Sequence, residues 1–190
     1  MGKPMDRIEG ERCFKDVYHV LSSVGVPFFL IQGTALGAWR DNGFTPMERD
    51  IDIGFLQEEF EPYSEALANM FIRYGFQVRK VSKPFSKCRA LKLNRNGIHV
   101  DLVAYILWKD KRFCCSNLKE YSIVHDRKLF ETYQLVSLFD CMCRVPCPVA
   151  RYLELEYGSG WRIPIEDHVS KTRVYGYRRR EGIPNDLLDT

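Results

Sequence analysis

The chain has 190 residues, a formal net charge of +3 and a sequence pI of about 8.4. Hydrophobic residues make up 45% of it, including 12 Phe and 10 Tyr, which is enough for one folded domain and excludes disorder as its dominant state. The charge is too mild to indicate bulk nucleic-acid binding, and the longest apolar run, at 24–31, is too short to span a membrane.

The first third of the chain alternates helix and strand patterns. Apolar residues at helical spacing predict a helix over 7–24 that is closed by Gly25, and the apolar run at 27–31 predicts a short buried strand. Residues 33–40 are expected to form a glycine-initiated turn that opens a short helix. The strand-forming run at 50–55 predicts the next strand.

A second amphipathic helix and a hairpin follow. Aromatic and aliphatic residues spaced over 60–74 predict the helix, which ends at Gly75. Two strand-like runs, 88–95 and 98–107, are separated by Asn96-Gly97, the strongest short signal for a two-residue hairpin turn.

The remaining sequence carries weaker patterns. Residues 109–127 are interpreted as a polar connection, 129–143 as a helix or irregular cover, and 149–161 as helical until Gly158. The tail at 171–190 has no core pattern and is expected to be loosely held. The prediction is therefore one α/β domain over residues 1–170, with a mixed sheet flanked by helices.

Three aspartates stand in strands, where ionised carboxylates are normally avoided because an unpaired buried charge is costly. Asp50 and Asp52 alternate along one strand and project from the same face, so they repel each other unless a cation or water lies between them. Mg²⁺ and Mn²⁺ prefer oxygen ligands, which makes both residues candidate metal ligands. Asp101, in the centre of the later strand, is a candidate general base or a third ligand.

The glycine-rich segment before these strands supplies a candidate phosphate site. Backbone N–H groups at Gly33 and Thr34, at the start of a helix, favour an anion, and Arg40 can donate to phosphate. Together with a metal ion, these groups suit in-line displacement at phosphorus. Each feature alone has a structural interpretation, since glycine turns are common and Asp101 can pair with Lys92 or Arg89 across the hairpin.

Seven cysteines show no regular disulfide spacing. Free thiols in a reducing compartment are one interpretation. Zinc binding by Cys88 with Cys114 and Cys115, or by the residues Cys141, Cys143 and Cys147, is the other.

Three ordered blocks resemble the LicD/fukutin-related family. "GTALGAWRDNGFTPMERDIDIGF" resembles the family's glycine and acidic signature, "HVDLVAYI" its His-x-Asp block, and "YLELEYGSGWRIP" its C-terminal block. The blocks run from residue 33 to residue 164. Two departures from the family stand out. In the acidic run, Glu48 stands at the first acidic position, where it could serve as an outer-shell ligand, Met47 stands where the family often has Trp, and Arg49 puts a cation between the acidic residues. The other departure is the missing membrane anchor or stem of the family's Golgi members.

The resemblance implies a nucleotidyltransferase fold used for phosphotransfer from a CDP-linked alcohol, as with phosphocholine or ribitol 5-phosphate, to a hydroxyl of a glycan or glycoprotein. It implies Asp50 and Asp52 as metal ligands for Mg²⁺ or Mn²⁺ and Asp101 as the acidic base. The donor residues implied are the members of the glycine block, namely Gly33, Thr34, Gly37 and Arg40. No nucleic-acid partner is expected.

Other functions on the same fold stay open from the sequence. One is a true nucleotidyltransferase that acts on a small molecule, RNA or protein, and another is an inactive binding module. No signal or anchor is visible, which as written favours the cytoplasm, while the family resemblance favours the Golgi if an anchor has been lost.

Overall fold

The fold, seen in a computed structural model, is a mixed β-sheet with helices packed against it. The structure describes residues 3–81, 90–114, 121–164 and 181–182. Within them ten strands form one sheet. Its order is β10 (Glu181–Gly182), β7 (Tyr121–Asp126), β6 (Lys111–Cys114), β5 (Ile98–Trp108), β2 (Asp50–Leu56), β1 (Phe29–Leu30), β9 (Cys141–Pro146) and β8 (Tyr133–Leu138), and β5 also pairs with β4 (Ala90–Arg95), which pairs with β3 (Gln77–Val81). The predicted α/β class and mixed sheet are confirmed.

The first helix, α1, runs from Arg7 to Val24 as predicted. The Asp6 carboxylate accepts a hydrogen bond from the Glu9 amide at the start, which satisfies one of the free N–H groups of the first turn. Gly25 ends the helix with a φ of 75°, a left-handed conformation that a residue without Cβ adopts at little cost. The buried face of α1, with Phe14 and Val17, enters the main hydrophobic core.

The centre of the sheet contains the segments expected from the sequence. β1 (Phe29–Leu30) is shorter than the predicted strand and pairs antiparallel with β2 (Asp50–Leu56). β2 pairs in parallel with β5 (Ile98–Trp108), and β5 pairs antiparallel with β4 (Ala90–Arg95) across the turn at Asn96 and Gly97. Both turn residues have positive φ, 52° and 81°, as a type I′ hairpin turn requires.

The second amphipathic helix is divided. It consists of α3 (Gln57–Phe60), a 3-10 turn (Glu61–Tyr63) and α4 (Ser64–Arg73), which leads through Gly75 to β3 (Gln77–Val81). Pro62 lies in the 3-10 turn because it lacks the N–H that a continuous helix would use. α4 packs on α1, β3 and β4, and therefore covers the apolar face of this part of the sheet.

Two predictions for the second half of the chain are wrong. The segment interpreted as a polar connection contains β6 (Lys111–Cys114) and β7 (Tyr121–Asp126), which extend the sheet beyond β5. The segment interpreted as a helix or irregular cover contains, after a 3-10 turn (Arg127–Phe130), the hairpin of β8 (Tyr133–Leu138) and β9 (Cys141–Pro146). Phe139 and Asp140 form its turn, and both have positive φ. Residues other than glycine seldom adopt this conformation, and since no glycine occurs here, the sequence gives little sign of the turn.

The C-terminal helix is as predicted. α5 spans Val149–Tyr157 and ends at Gly158, after which Ser159–Arg162 form a 3-10 turn. The predicted loose tail lies outside the described residues except for β10 (Glu181–Gly182), which pairs with β7. In the described part of the chain, no helix combines the length and apolar character needed to cross a bilayer.

Candidate active site

Strand register brings the predicted acidic residues onto one face of the sheet. In the parallel pairing of β2 with β5, Asp52 lies opposite Asp101 and Asp50 lies opposite His99. Residues paired in this way point to the same side, and the alternate residues Ile51 and Val100 point to the buried core on the other side. The three aspartates named by the sequence therefore meet at one surface.

A fourth carboxylate joins the two aspartates of β2. Ligand oxygens of Glu48, Asp50 and Asp52 all lie within 4.8 Å of one another, and we refer to these three residues as the carboxylate cluster. Glu48 and Asp52 are each only 8% exposed. Three crowded negative charges in a largely buried position repel one another, and a divalent cation with oxygen ligands would offset this repulsion. The donor set fits Mg²⁺ or Mn²⁺.

The backbone at Gly33 lies against the Glu48 carboxylate of this cluster. It is the second residue of α2 (Gln32–Leu36), so the glycine lies inside the short helix and does not form a turn before it. A Cβ added at Gly33 would lie 2.3 Å from Oε2 of Glu48, closer than nonbonded atoms approach. The absence of a side chain at Gly33 therefore leaves the space that the Glu48 carboxylate occupies.

We expect Gly33→Ala to displace the Glu48 side chain, because that flexible side chain yields more readily than the backbone. Removal of one carboxylate from the cluster is expected to weaken Mn²⁺ binding by about 10- to 100-fold, with little change in thermal unfolding. Mn²⁺ titration followed by electron paramagnetic resonance measures the affinity. In a Glu48→Ala background the same alanine should have no further effect on the affinity, and an undiminished effect there would contradict this role.

Thr34 and Gly37 fix residues 33–40, referred to below as the glycine segment, to the sheet. The Asp52 amide donates to Oγ1 of Thr34 at 2.8 Å, and the Ile31 amide donates to the Asp52 carbonyl at 3.3 Å. Gly37 begins a π-helical turn (Gly37–Asp41), and a Cβ there would lie 2.3 Å from the carbonyl oxygen of Gly43. The observed contacts of Thr34 and Gly37 hold the backbone in place, and their predicted role in donor binding stays a prediction.

Arg40 contacts its neighbour Asp41 and the segment after α5. Nε and Nη2 donate to the two carboxylate oxygens of Asp41, each at 2.8 Å, and Nη1 donates to the Trp161 carbonyl at 2.9 Å. The guanidinium thus links the π-helical turn to the segment after α5. Its predicted contact with donor phosphate stays a prediction, and these bonds show which contacts such a role would have to share or replace.

A tyrosine of the C-terminal block makes a hydrogen bond to the residue before Gly33. The Gln32 amide donates to the Tyr152 hydroxyl at 2.9 Å, and Gln32 has a φ of 48°, which is uncommon outside glycine. Burial, followed by the nearby Glu156 carboxylate, raises the pKa of Tyr152 well above its ordinary value, so the phenol stays neutral. Glu156 and His125 are completely buried, with Nε2 of His125 2.9 Å from Oε1 of Glu156. Through Tyr152, the helix that carries "YLELEYG" therefore contacts the backbone next to Gly33.

Removal of the Tyr152 hydroxyl in Tyr152→Phe is expected to lower the free energy of unfolding by about 1–3 kcal/mol, the usual effect of taking one partner from a buried hydrogen bond. Urea denaturation measures the change. Tyr63→Phe, at an exposed tyrosine, is the matched control and should shift stability by no more than about 0.5 kcal/mol. Equal stability of Tyr152→Phe and the control would show that the hydroxyl contributes nothing to holding Gln32.

Asp101 has a cationic neighbour on β4. Its Oδ2 lies 2.5 Å from Nζ of Lys92, the residue opposite it in the antiparallel pairing. His99, one position along the same face, contacts the Asn94 side chain at 3.1 Å. The pairing with Lys92, an alternative raised by the sequence, fixes the orientation of Asp101 but leaves it next to Asp52. Among the described residues, Asp101 is not part of the carboxylate cluster.

Sequence reasoning missed two features of this site. It gave Glu48 at most an outer-shell role, whereas the structure places Glu48 in the cluster, and the close pairing of Glu48 with Gly33 leaves no signal in residue spacing. It also gave Tyr152 no individual role.

The zinc alternative gains no support from Cys141, Cys143 and Cys147. Within the described residues, the carboxylate cluster is the one group of three or more side chains arranged to hold a metal ion. The set of Cys88, Cys114 and Cys115 lies outside the side chains that the structure describes.

The fold and the acidic strands together define a nucleotidyltransferase-fold domain. The solved structures of ANT(2'')-Ia share this fold: one, in complex with adenylyl-2''-tobramycin, has a TM-score of 0.51 at 12% identity over 87% of this chain and 86% of that chain. A solution structure of the same protein has a TM-score of 0.53 at 13% identity, over 90% of this chain and 84% of that chain. Residues 25–147 match the family described as LicD/FKTN/FKRP, nucleotidyltransferase domain, and the chain belongs to that family.

Curated relatives point in the same direction. The chain is 26% identical over 158 residues to the mouse (Mus musculus) ribitol-5-phosphate transferase FKTN and 24% identical over 151 residues to the human (Homo sapiens) protein of that name. Each match includes 77% of this chain and 32% of the relative, so the chain spans about a third of the length of these relatives. The resemblance predicted from the three sequence blocks is confirmed at the level of the family, and membership supports a transferase.

Proposed function

We propose that this protein is a metal-dependent phosphotransferase that moves a phospho-alcohol, such as ribitol 5-phosphate or phosphocholine, from a CDP-linked donor to a glycan hydroxyl. The observation that carries the proposal is the carboxylate cluster with Asp101 in register beside Asp52. Family membership, and the ribitol-5-phosphate transferases among the relatives, support the donor class.

Glu48, Asp50 and Asp52 hold the cation in this proposal. A bound Mg²⁺ or Mn²⁺ would supply positive charge to offset that of the donor diphosphate. The cluster adjoins the glycine segment through Gly33, so that segment is the side from which the diphosphate approaches.

Asp101 acts as the general base in this scheme. The acceptor hydroxyl loses its proton to Asp101 as its oxygen bonds to the phosphorus that bears the alcohol, and the bond from that phosphorus to the CMP oxygen breaks. The separation of Asp101 from the cluster supports this assignment over a ligand role, because Glu48 already supplies a third carboxylate. Lys92 serves as a positioning residue that orients the Asp101 carboxylate through their ion pair.

A CMP-release assay with a panel of CDP-alcohols, including CDP-ribitol and CDP-choline, tests the proposal in the presence of Mg²⁺ or Mn²⁺. We expect CMP release that depends on both the metal and a glycan acceptor, with the phospho-alcohol recovered on the acceptor by mass spectrometry. Pyrophosphate release from CTP, with a nucleotide added to the acceptor, would instead identify a nucleotidyltransferase. Absence of both products would leave a binding module of the same fold.

A further inference from the structure

Two buried ionisable side chains that the proposed reaction does not use lie close together in the core. His125 on β7 and Glu156 on α5 are both completely buried, and Nε2 of the first lies 2.9 Å from Oε1 of the second, within ion-pair distance. Taking such groups out of water is costly, and well-packed apolar residues of similar volume are often equally stable or more stable. Stability alone is therefore a weak reason for this pair, which we refer to as the buried pair.

The buried pair adjoins the Tyr152 side chain from two directions. The rings of His125 and Tyr152 have centroids 5.4 Å apart with an interplanar angle of 36°. Glu156 follows Tyr152 by four positions on α5, and residues at this spacing lie on the same face of a helix. After burial, the charge of Glu156 is the next largest cause that raises the pKa of Tyr152. The phenol therefore keeps its proton close to a carboxylate that attracts it.

The other polar groups around the buried pair have partners of their own. Arg112, opposite His125 in the pairing of β6 with β7, forms an ion pair with Glu58 of α3. The hydroxyl of Tyr105 is a hydrogen-bonding neighbour of Tyr152, and the Tyr105 ring lies 5.8 Å from the His125 ring. Glu156 is thus the carboxylate of this part of the core that acts on the Tyr152 hydroxyl.

The Tyr152 oxygen also has a backbone partner next to the site. It accepts a hydrogen bond from the Gln32 amide at 2.9 Å, and Gln32 has a φ of 48°, a conformation that costs energy for a residue with a side chain. Hydrogen bonds in series polarise one another, so an O–H drawn towards Glu156 leaves an oxygen that accepts more strongly. The conformation of Gln32 therefore depends on how the hydroxyl is oriented.

We propose that His125 and Glu156 position the Tyr152 hydroxyl to accept from the Gln32 amide, and thereby hold the start of the glycine segment against the carboxylate cluster. Gly33, which follows Gln32, is the residue whose missing side chain leaves room for a carboxylate of that cluster. His125 and Glu156 are positioning residues, since they act through Tyr152 and Gln32. The inference rests on the proposed function only where it concerns the cation.

Amide hydrogen exchange, followed by nuclear magnetic resonance on the ¹⁵N-labelled chain, tests this role at a single backbone site. Glu156→Gln keeps the size of the side chain and removes its charge. We expect the Gln32 amide to exchange about 10- to 100-fold faster in this variant, because its hydrogen bond opens more often. The amide of Val17, in the buried face of α1, reports on global unfolding and should change much less. Glu154→Gln, the same change at an exposed position of α5, is the matched control and should leave both rates unchanged.

A double variant separates positioning from stability. His125→Phe combined with Glu156→Leu replaces the buried pair by apolar side chains, and its stability to urea should stay near that of the wild type. The Gln32 amide should nevertheless exchange as fast as in Glu156→Gln. Mn²⁺ affinity, measured by electron paramagnetic resonance, should fall by about 10-fold, as it does when residues that orient metal ligands are changed.

Slow exchange of the Gln32 amide in both variants would overturn the inference. Equal acceleration of Gln32 and Val17 in Glu156→Gln, or failure of both variants to fold, would also overturn it, because the buried pair would then serve only the fold. Faster exchange at Gln32 with unchanged Mn²⁺ affinity would overturn the link to the carboxylate cluster. Lack of Mn²⁺ binding by the wild type would count against the proposed function alone, because exchange at Gln32 is measured without metal.

Discussion

Asp52→Asn is expected to lower metal-dependent CMP release by about 10³-fold or more, since a catalytic metal contributes several kcal/mol of charge stabilisation. The side chain is 8% exposed and shares its ligand space with Glu48 and Asp50, so loss of its charge weakens the cation site directly. The backbone should be unaffected, because the bond from the residue to Thr34 is made by the Asp52 amide. Relief of repulsion within the cluster should leave thermal stability equal or higher.

Asp110→Asn is the control for this change. Asp110 is an exposed aspartate in the turn between β5 and β6, paired with Lys111 and outside the site, and its variant should keep wild-type CMP release. Asp50→Asn is measured beside them. Of the three variants, Asp50→Asn and Asp52→Asn should bind Mn²⁺ more weakly than the wild type, whereas Asp110→Asn should bind it equally well. Near wild-type turnover of either cluster variant at limiting metal would contradict the assignment of these residues as ligands.

Asp101→Asn is expected to reduce the chemical step by about 10²- to 10⁴-fold, the usual contribution of positioned proton transfer. Asparagine keeps an oxygen that can accept from Lys92, so the local geometry should persist while the basic group is lost. Mn²⁺ affinity should stay near that of the wild type, because Asp101 lies outside the carboxylate cluster among the described residues.

Metal titration separates this role from a ligand role. A metal ligand would lose affinity first, and excess Mg²⁺ would restore part of the rate. Restoration of Asp101→Asn to nearly wild-type turnover by excess metal would overturn the assignment of Asp101 as base. An unchanged rate at every metal concentration would remove Asp101 from the mechanism altogether.

The sequence predicts the first part of the fold well because its signals are local there. The apolar stripe of α1, Gly25, and the Asn96-Gly97 turn each act over a few residues, and all three are confirmed. β6 and β7 were missed because their residues are polar enough to resemble a loop, and their pairing partners are what make them strands. The β8–β9 turn, formed by Phe139 and Asp140, contains neither glycine nor proline, and a phenylalanine at positive φ is not a turn signal.

The candidate site shows the same division between local and long-range information. The alternation of Asp50 and Asp52 is visible in the sequence, but the approach of Glu48 to Gly33 arises only when α2 docks on β2. Likewise, the hydroxyl that supports Gln32 comes from α5, far along the chain. Contacts of this kind depend on tertiary packing, so residue type and spacing do not reveal them.

The parallel pairing of β2 with β5 determines where the gene can tolerate a gain or loss of one codon. Side chains alternate along a strand, so Asp101 points away from its buried neighbours Val100 and Leu102 and therefore faces the site. A codon inserted between His99 and Asp101 would turn the carboxylate towards the core and bring an apolar side chain to the reaction face, although the composition would scarcely change. A single-residue insertion within β2 or β5 should therefore inactivate the protein. The same insertion in the turn between β5 and β6 should leave it active.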